Sequence, residues 1–480
     1  MRAFTFLPVL ALAACTAGPD YEGPKTAGAA TPQPGFVRAD TTVRSDSPQP
    51  ARWWRQLGDP LLDALEERAL AADPNVALAE ARVKQARASL RFERADRLPK
   101  GNASAVYVHA ELPGIDLGGS GENGNGGGAS DESESDTNAL NFYNLGFDAS
   151  WEIDLWGGRR RRVEAARAQL GAAEANRADA QVSLTAEVAQ TYVSFRERQQ
   201  RIQSLLASAA MQREILQLVE QRARQGASSA LEVEQQRDAL NQAQAAVPPV
   251  EMERDALLNA LATLTGEVPG ALDAMLHTPA PIPLPPANVA IGDPAAMLQR
   301  RPDLRAAERQ LAKATAQIGI VEAARFPSVS FMGLIGIGGT HPEDMVDFDK
   351  LAALAVPRLS WNILEFGRGD ARIKQANATR EEAEARYRSA VLGALRDCED
   401  ALARFGAQRR AVASTARSSA SAKRSAQLTQ QRFDAGAASR VTMLQAQERS
   451  KATDRVAAQN TASLTNDFIA LQKALGLGWQ

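Results

Sequence analysis

Few side chains in this sequence are of the kinds that perform chemistry, and their spacing limits what they can do. The histidines are His109, His277 and His341, and the cysteines are Cys15 and Cys398. Metal centres and nucleophilic triads need such groups in close pairs, at fixed helical spacing or with an activating base. Here they are scattered, with no HExxH, nucleophile elbow, phosphate loop or paired-cysteine motif. The reading is therefore no catalytic residue, no metal and no cofactor. Gly119, Gly121 and Gly124 match a dinucleotide-binding pattern formally, but that pattern needs a helix N-terminus behind it. An acidic run follows instead, and would repel a pyrophosphate. The strongest cationic signal is Arg159 to Arg162, four arginines behind Trp151-Glu152-Ile153-Asp154-Leu155-Trp156. Such a run meets nucleic acid, a targeting receptor or a lipid surface. Across the chain 55 Lys and Arg face 57 Asp and Glu, whereas nucleic-acid binders carry a basic excess. No nucleic acid is expected.

Cys15 has a chemistry of its own. It closes MRAFTFLPVLALAAC, in which Arg2 precedes an apolar stretch too short to cross a bilayer. Leu12-Ala13-Ala14-Cys15 resembles the cleavage site of bacterial lipoprotein signals. On that resemblance residues 1–14 are a signal peptide, and the Cys15 thiol takes a diacylglycerol at the new N-terminus. Thr16, where retained inner-membrane lipoproteins typically carry Asp, favours the outer membrane on the same grounds. The alternative is an ordinary signal peptide with an incidental cysteine. No other run reaches 18 apolar residues, so no transmembrane helix is expected.

The elements that would position these residues are written twice. Pro74 and Pro302 open Ala-rich helical stretches that close 25 residues on, at Pro99 and Pro327. Trp151 and Trp361 each precede a glycine by six residues, at Gly157 and Gly367. Gly226 and Gly436 each lie 75 residues beyond their tryptophan, and Gly266 and Gly476 another 40 beyond those. The offset is thus 228 before the first tryptophan and 210 after it, a difference of 18 residues. The extra length falls in or near the polar, glycine-rich segment 116–136, a surface loop by composition. The expected order is a segment 15–59, a first repeat over 60–276, a Pro-rich linker over 277–292 and a second repeat over 293–480.

Within each repeat, alternation marks strands and a seven-residue stripe marks long helices. Strands are expected over 101–112, 140–155, 326–337 and 351–363. Tyr143, Leu145, Phe147, Trp151 and Ile153 share one face of the second, opposite Asp148, Glu152 and Asp154. In the first strand Val106, Val108, Ala110 and Leu112 alternate with Tyr107, His109 and Glu111, which makes His109 a lumen-facing residue of a barrel. A soluble sheet with one wet face alternates identically; the acylation signal and the tryptophans at strand ends favour membrane. Four strands cannot close a barrel, so two, three or four copies would have to share one. Helical hairpins are expected over 158–265 and 368–475. Val188, Phe195, Ile202, Ala209 and Leu216 form a stripe, joined by Tyr192 and Leu206, and Cys398 occupies the position of Val188 as a packed small hydrophobe.

Together the acylation site, Gly18-Pro19-Asp20-Tyr21, the duplicated strand and hairpin unit and Arg432-Phe433-Asp434-Ala435-Gly436 resemble the TolC family of outer-membrane efflux proteins. The similarity is greatest to its lipoprotein (NodT-like) branch, which serves resistance-nodulation-division pumps. The resemblance implies a membrane β-barrel joined to an all-α coiled-coil tunnel, with a homotrimer sharing 12 strands in the outer membrane and its helices in the periplasm. It implies a passive conduit for small molecules, partnered by a periplasmic adaptor and an inner-membrane pump, with lipid at Cys15. Gly226, Arg432, Phe433 and Gly436 would form the adaptor-docking tips. The family's aspartates beyond the second tip are replaced here by Thr442 and Gln445, and their counterparts are Glu232 and Gln235; these four are the constriction candidates. Trp151, Trp156, Arg159, Arg160 and Trp361 would anchor the membrane edge. A duct for type I protein secretion and a non-conducting, lipid-anchored spacer are the alternatives.

Overall fold

The computed structural model describes residues 16–24, 35–39, 43–44, 50–113 and 137–479. Cys15 and the glycine-rich segment 116–136 lie outside the described residues. The N-terminal half holds β1 (Val43–Arg44), α1 (Pro60–Ala72), α2 (Pro74–Ala95), β2 (Lys100–Pro113), β3 (Thr137–Ile153), α3 (Gly158–Arg224), α4 (Ala230–Ala245), α5 (Val247–Leu264) and α6 (Asp273–Leu276). After β4 (Val289–Ala290) in the linker come α7 (Pro294–Arg300), α8 (Pro302–Ala323), β5 (Ser328–Gly339), β6 (Leu351–Ser360), α9 (Arg368–Asp434) and α10 (Arg440–Ala474). The repeat holds end for end: α2 and α8 have 22 residues each, α3 and α9 67 each. At 1.5 Å per residue, 67 residues make a helix of about 100 Å. The copies differ in the return helix. Free of proline, α10 runs for 35 residues, whereas α4 and α5 part at Ala246, just before Pro248 and Pro249, which supply no amide donors.

The chain forms two compact units, and each draws on both repeats. Among the described residues the first comprises 16–22, 87–113, 137–168 and 312–381 and holds an antiparallel sheet of order β2-β3-β5-β6. The central pairing of β3 with β5 joins the repeats, from Tyr143 opposite Gly339 to Ile153 opposite Val329. Directly paired residues share a face, so Leu145, Phe147 and Trp151 stand with Ile337, Ile335 and Phe331. Asp148, Ser150 and Glu152 stand on the other face, with Asn102 hydrogen-bonded to Asp148 at 3.0 Å. A soluble sheet would bury its apolar face, yet no described residue of these four strands belongs to a hydrophobic core cluster. Phe147 and Leu359 are each 70% exposed.

The register corrects the expectation for His109. It pairs with Asn141 and lies on the face of Tyr143 and Leu145, while Val106 and Val108 share the face of Asn144. A strand's own alternation leaves open which side meets lipid; pairing with its neighbour decides it. His109 Nδ1 is 2.7 Å from Asn141 Oδ1, and the Tyr107 hydroxyl donates to the same oxygen at 3.0 Å.

Among the described residues the second unit comprises 23–24, 35–39, 43–44, 50–86, 169–311 and 382–479. Its core gathers Trp53, Trp54, Leu62, Tyr192, Phe405 and Phe468, with Trp53 edge-on to Trp54 at 5.9 Å and to Phe468 at 6.1 Å. The seam of α3 is buried at Val188, Tyr192, Phe195, Ile202 and Ala209, but Ile215 rather than Leu216 continues it. Ile215 packs instead with Met443 and Leu444 of α10. Leu206 is 52% exposed, contrary to expectation. Cys398 is fully buried and its thiol donates to Ala474 O at 3.2 Å. Burial pushes its pKa up to about 12, so it packs as a thiol and not as a nucleophile.

Candidate functional site

Two places gather the candidate residues, one in each unit. The first is the turn from β3 into α3. Asp154 caps the helix, its carboxylate accepting from Arg159 N at 3.0 Å and Arg160 N at 2.8 Å. The four arginines then part company. Arg159 turns to Asp96 and to Glu152, the latter at 2.8 Å. Arg160 and Arg162 keep side chains 62% and 49% exposed. Arg161 is buried and takes hold of the residues that follow Cys15. Its Nε donates to Ala17 O at 3.1 Å, its Nη2 to Gly18 O at 2.9 Å, and its Nη2 lies 2.8 Å from Asp20 Oδ1. Burial works against the charge, but Glu164 and Asp20 outweigh it and hold the guanidinium pKa above its usual value. Ala17 N also donates to Trp156 O at 2.9 Å. The fit depends on Gly319, where an added Cβ would lie 2.7 Å from Ala17 O and 2.8 Å from Arg161 Cγ. Asp96, touched by Lys100, Arg159 and Arg162, is held below the usual carboxylate pKa, chiefly by the Lys100 hydrogen bond.

The tryptophans mark the same edge. Trp151 Nε1 donates to Arg97 O at 3.1 Å and Trp361 Nε1 to Arg325 O at 3.0 Å, the same bond made once per repeat. Trp156 Nε1 donates to Pro327 O at 2.7 Å and its ring stacks on Phe326 at 4.6 Å.

The second place is the pair of hairpin tips, where α3 turns into α4 and α9 into α10. Both turns close with a glycine in the left-handed region, φ 75° at Gly226 and 72° at Gly436. Ala227 N reaches Arg222 O at 2.8 Å and Ala437 N reaches Arg432 O at 2.7 Å, the Schellman closure of a helix. The constriction candidates Glu232 and Thr442 stand at the third position of the return helices, where both take part in capping. Ser229 Oγ accepts from Glu232 N at 3.2 Å while the Glu232 carboxylate accepts from Ser229 N at 3.1 Å. Ser439 Oγ accepts from Thr442 N at 3.1 Å and lies 2.8 Å from Thr442 Oγ1. Gln235 and Gln445 are exposed. Of the docking candidates, Arg432 is exposed, whereas Phe433 packs with Ile215, Met443 and Leu444 inside the tip. Arg440, unflagged by the sequence reading, contacts Glu214 of α3.

Elsewhere in the helical unit, a hollow of about 580 Å³ is lined by Arg301, Arg396, Arg404 and Lys473 against Asp179, Asp303, Asp397 and Asp400. Four bases against four acids leave no net charge with which to select a charged ligand. Among the described residues no cluster of three or more His, Cys, Asp or Glu is poised for a metal, and no helix is long and apolar enough to cross a membrane.

Arg161 was missed because a run of like residues hides which member is used. The repeat gives no signal for it either, since the counterparts of Arg159, Arg160 and Arg161 are Gly369, Asp370 and Ala371.

Comparison with known proteins agrees with this layout. The family model for outer membrane efflux proteins matches residues 65–267 and 294–477. The pyoverdine export outer membrane protein OpmQ of Pseudomonas aeruginosa is 32% identical over 98% of this chain and 95% of its own. Nodulation protein T of Rhizobium leguminosarum bv. trifolii is 27% identical over 98% and 96%. Among solved structures, the outer-membrane channel OprN superposes with a TM-score of 0.84 at 30% identity, covering 97% of this chain and all of the other.

Proposed function

The chain belongs to the outer membrane efflux protein family, and on that premise we propose that it is the outer-membrane duct of a tripartite efflux system. Three copies each contribute β2, β3, β5 and β6 to one barrel of 12 strands, and the long hairpins continue it as a periplasmic tunnel. The tips at Gly226 and Gly436 meet a periplasmic adaptor, and an inner-membrane resistance-nodulation-division pump supplies the energy. The duct itself is passive and carries out no catalysis. Small molecules are its cargo, as for the pyoverdine exporter. One observation carries this reading: among the described residues nothing covers the sheet's apolar face or pairs with either edge strand, while its other face is polar towards the α3 end. In hydrocarbon such a sheet is stable only when its edges are paired.

The duct is tested with purified protein in planar bilayers. Wild-type protein is expected to show rare ion-conducting openings, and Arg440→Ala, which releases α10 from Glu214, is expected to lengthen them. Absence of conductance from both, with the oligomer intact, overturns the duct and leaves an anchored spacer.

A further inference from the structure

The inner face of the sheet is not uniformly polar. Phe147, Trp151 and their paired neighbours form the face that meets lipid, so the opposite face lines the lumen. That lumen face holds charges at its α3 end, in Asp148, Glu152 and Arg358. Between and beyond them it carries Val106, Val108 and Phe142 from β2 and β3, and Met332, Leu334 and Leu354 from β5 and β6. All six are 38–58% exposed. Water-filled barrels line their interior with polar groups, so large apolar side chains there call for a reason.

The two apolar groups stand apart across a trough built from glycine. Gly146 pairs with Gly336, and Asn144 with Gly338, in the central ladder. On this face the three glycines offer only backbone, and the Asn144 side chain lies over it. A Cβ added to Gly336 would stand 2.9 Å from Asn144 Nδ2, and one added to Gly146 3.1 Å from Asn144 Oδ1. Glycine within a strand weakens it, and it marks places where a ligand or another backbone comes close. Val106 and Phe142 form one bank of the trough, Leu334 and Leu354 the other.

One end of the trough meets Asp148, two residues from Gly146 and directly opposite Leu334. Asp148 accepts from Asn102 at 3.0 Å and forms no ion pair among the described residues. The charges beside it are satisfied elsewhere, Lys100 by Asp96 at 2.5 Å and Glu152 by Arg159 at 2.8 Å. Arg358 is set apart, opposite Ser330 at the α3 end.

We propose that this trough is a slot on the inner wall of the duct for flat apolar cations. The ring system lies on the glycine floor between the two banks, and its charge sits beside Asp148. The banks take ring surface out of water, and the carboxylate favours a cation over an anion of the same shape. The inference rests on the shared-barrel reading, which makes this face the lumen, and it gives a passive duct a preference among solutes in transit.

Thiol labelling in lipid vesicles tests it, with the full-length acylated protein carrying Cys398→Val. Val106→Cys and Leu354→Cys report the two banks, and either suffices should the other fail to assemble. A neutral polyethylene glycol maleimide, too polar to enter lipid, is expected to label both banks and to leave Phe147→Cys unlabelled. N-methylacridinium should slow labelling of the banks roughly fivefold once it exceeds its dissociation constant a few times over. Tetramethylammonium, which has the charge without the rings, should not slow it. Asp148→Asn and Phe142→Ser should each weaken the protection severalfold. Equal slowing by tetramethylammonium, or full protection in both substituted proteins, overturns the slot. Unlabelled banks in an oligomer of intact native mass overturn the placement of this face in the lumen. Labelling of Phe147→Cys as fast as of the banks, or a monomer by native mass, overturns the shared-barrel reading itself.

Discussion

At the scale of single residues, the buried carboxylate of Glu66 sets a measurable pH dependence. It lies in α1 with no exposed surface, and neither oxygen meets a hydrogen-bond donor. Burial first, and Asp63 beside it second, raise its pKa well above the ordinary glutamate value. Below the unfolded pKa the group is protonated in both states and costs nothing. As pH rises, the unfolded chain ionises while the folded chain resists, so stability falls until pH passes the folded pKa and then levels off. Glu66→Gln keeps the shape without that slope. Its melting temperature relative to wild type should therefore rise by a few degrees between pH 4 and pH 8, on a scale of roughly 2–4 °C per kcal/mol for domains of this size. A difference that is the same at both pH values would show that Glu66 titrates normally. A single sequence offers little warning of such a group, because the acid at position 66 looks like any surface helix glutamate until tertiary packing covers it. Arg161 is the opposite case: its charge was conspicuous, but its partners lie some 140 positions away at Ala17, Gly18 and Asp20.

At the scale of elements, the repeat made most of the fold legible, since each copy checks the other. The bounds of α3 and α9 follow from two tryptophan-to-glycine spacings, and the tips from the glycines themselves. What escaped were matters one strand or helix does not decide alone, such as the face of His109 and the outward turn of Leu206; the parting of α4 from α5 was written locally in Pro248 and Pro249 and was passed over. The tips carry the next prediction. Glu232 is both a constriction candidate and the second half of a capping box, and two substitutions separate the roles. Glu232→Gln retains a side chain able to cap but removes the charge, whereas Glu232→Ala removes both. Loss of a cap costs about 1 kcal/mol. Glu232→Ala should therefore speed hydrogen exchange of the Ser229 amide roughly fivefold, and Glu232→Gln should leave it near wild type. Equal exchange in all three proteins would remove the capping role. A shift of ion selectivity confined to both variants, with exchange unchanged in Glu232→Gln, would favour the carboxylate as a tunnel charge.

At the scale of the whole molecule, the proposed function gives the chain two means of holding a membrane, and they predict different losses. An acyl group on Cys15 would leave the chain beside Thr16, directly ahead of the residues clamped by Arg161, whereas the shared sheet holds through its own apolar band. Lipid chains give reversible attachment, roughly 0.8 kcal/mol per buried CH₂, while a closed set of strands cannot leave hydrocarbon without unfolding. Cys15→Ala, produced behind an ordinary cleavable signal sequence, should lose radioactive palmitate yet stay with membranes washed in alkaline carbonate. Arg161→Ala should keep its palmitate and its membrane association, but its residues 16–20 should become open to protease. If Cys15→Ala washes free, the acyl group was the whole anchor and the sheet is not embedded. Persistent palmitate label on Cys15→Ala would instead overturn the acylation site. Because the clamp and the sheet lie in one compact unit and the acyl site just ahead of it, doubling the damage with Cys15→Ala and Arg161→Ala should add little beyond the single losses so long as the barrel assembles. A synergistic fall in assembled oligomer would show that the clamped segment guides assembly as well as anchoring the finished duct.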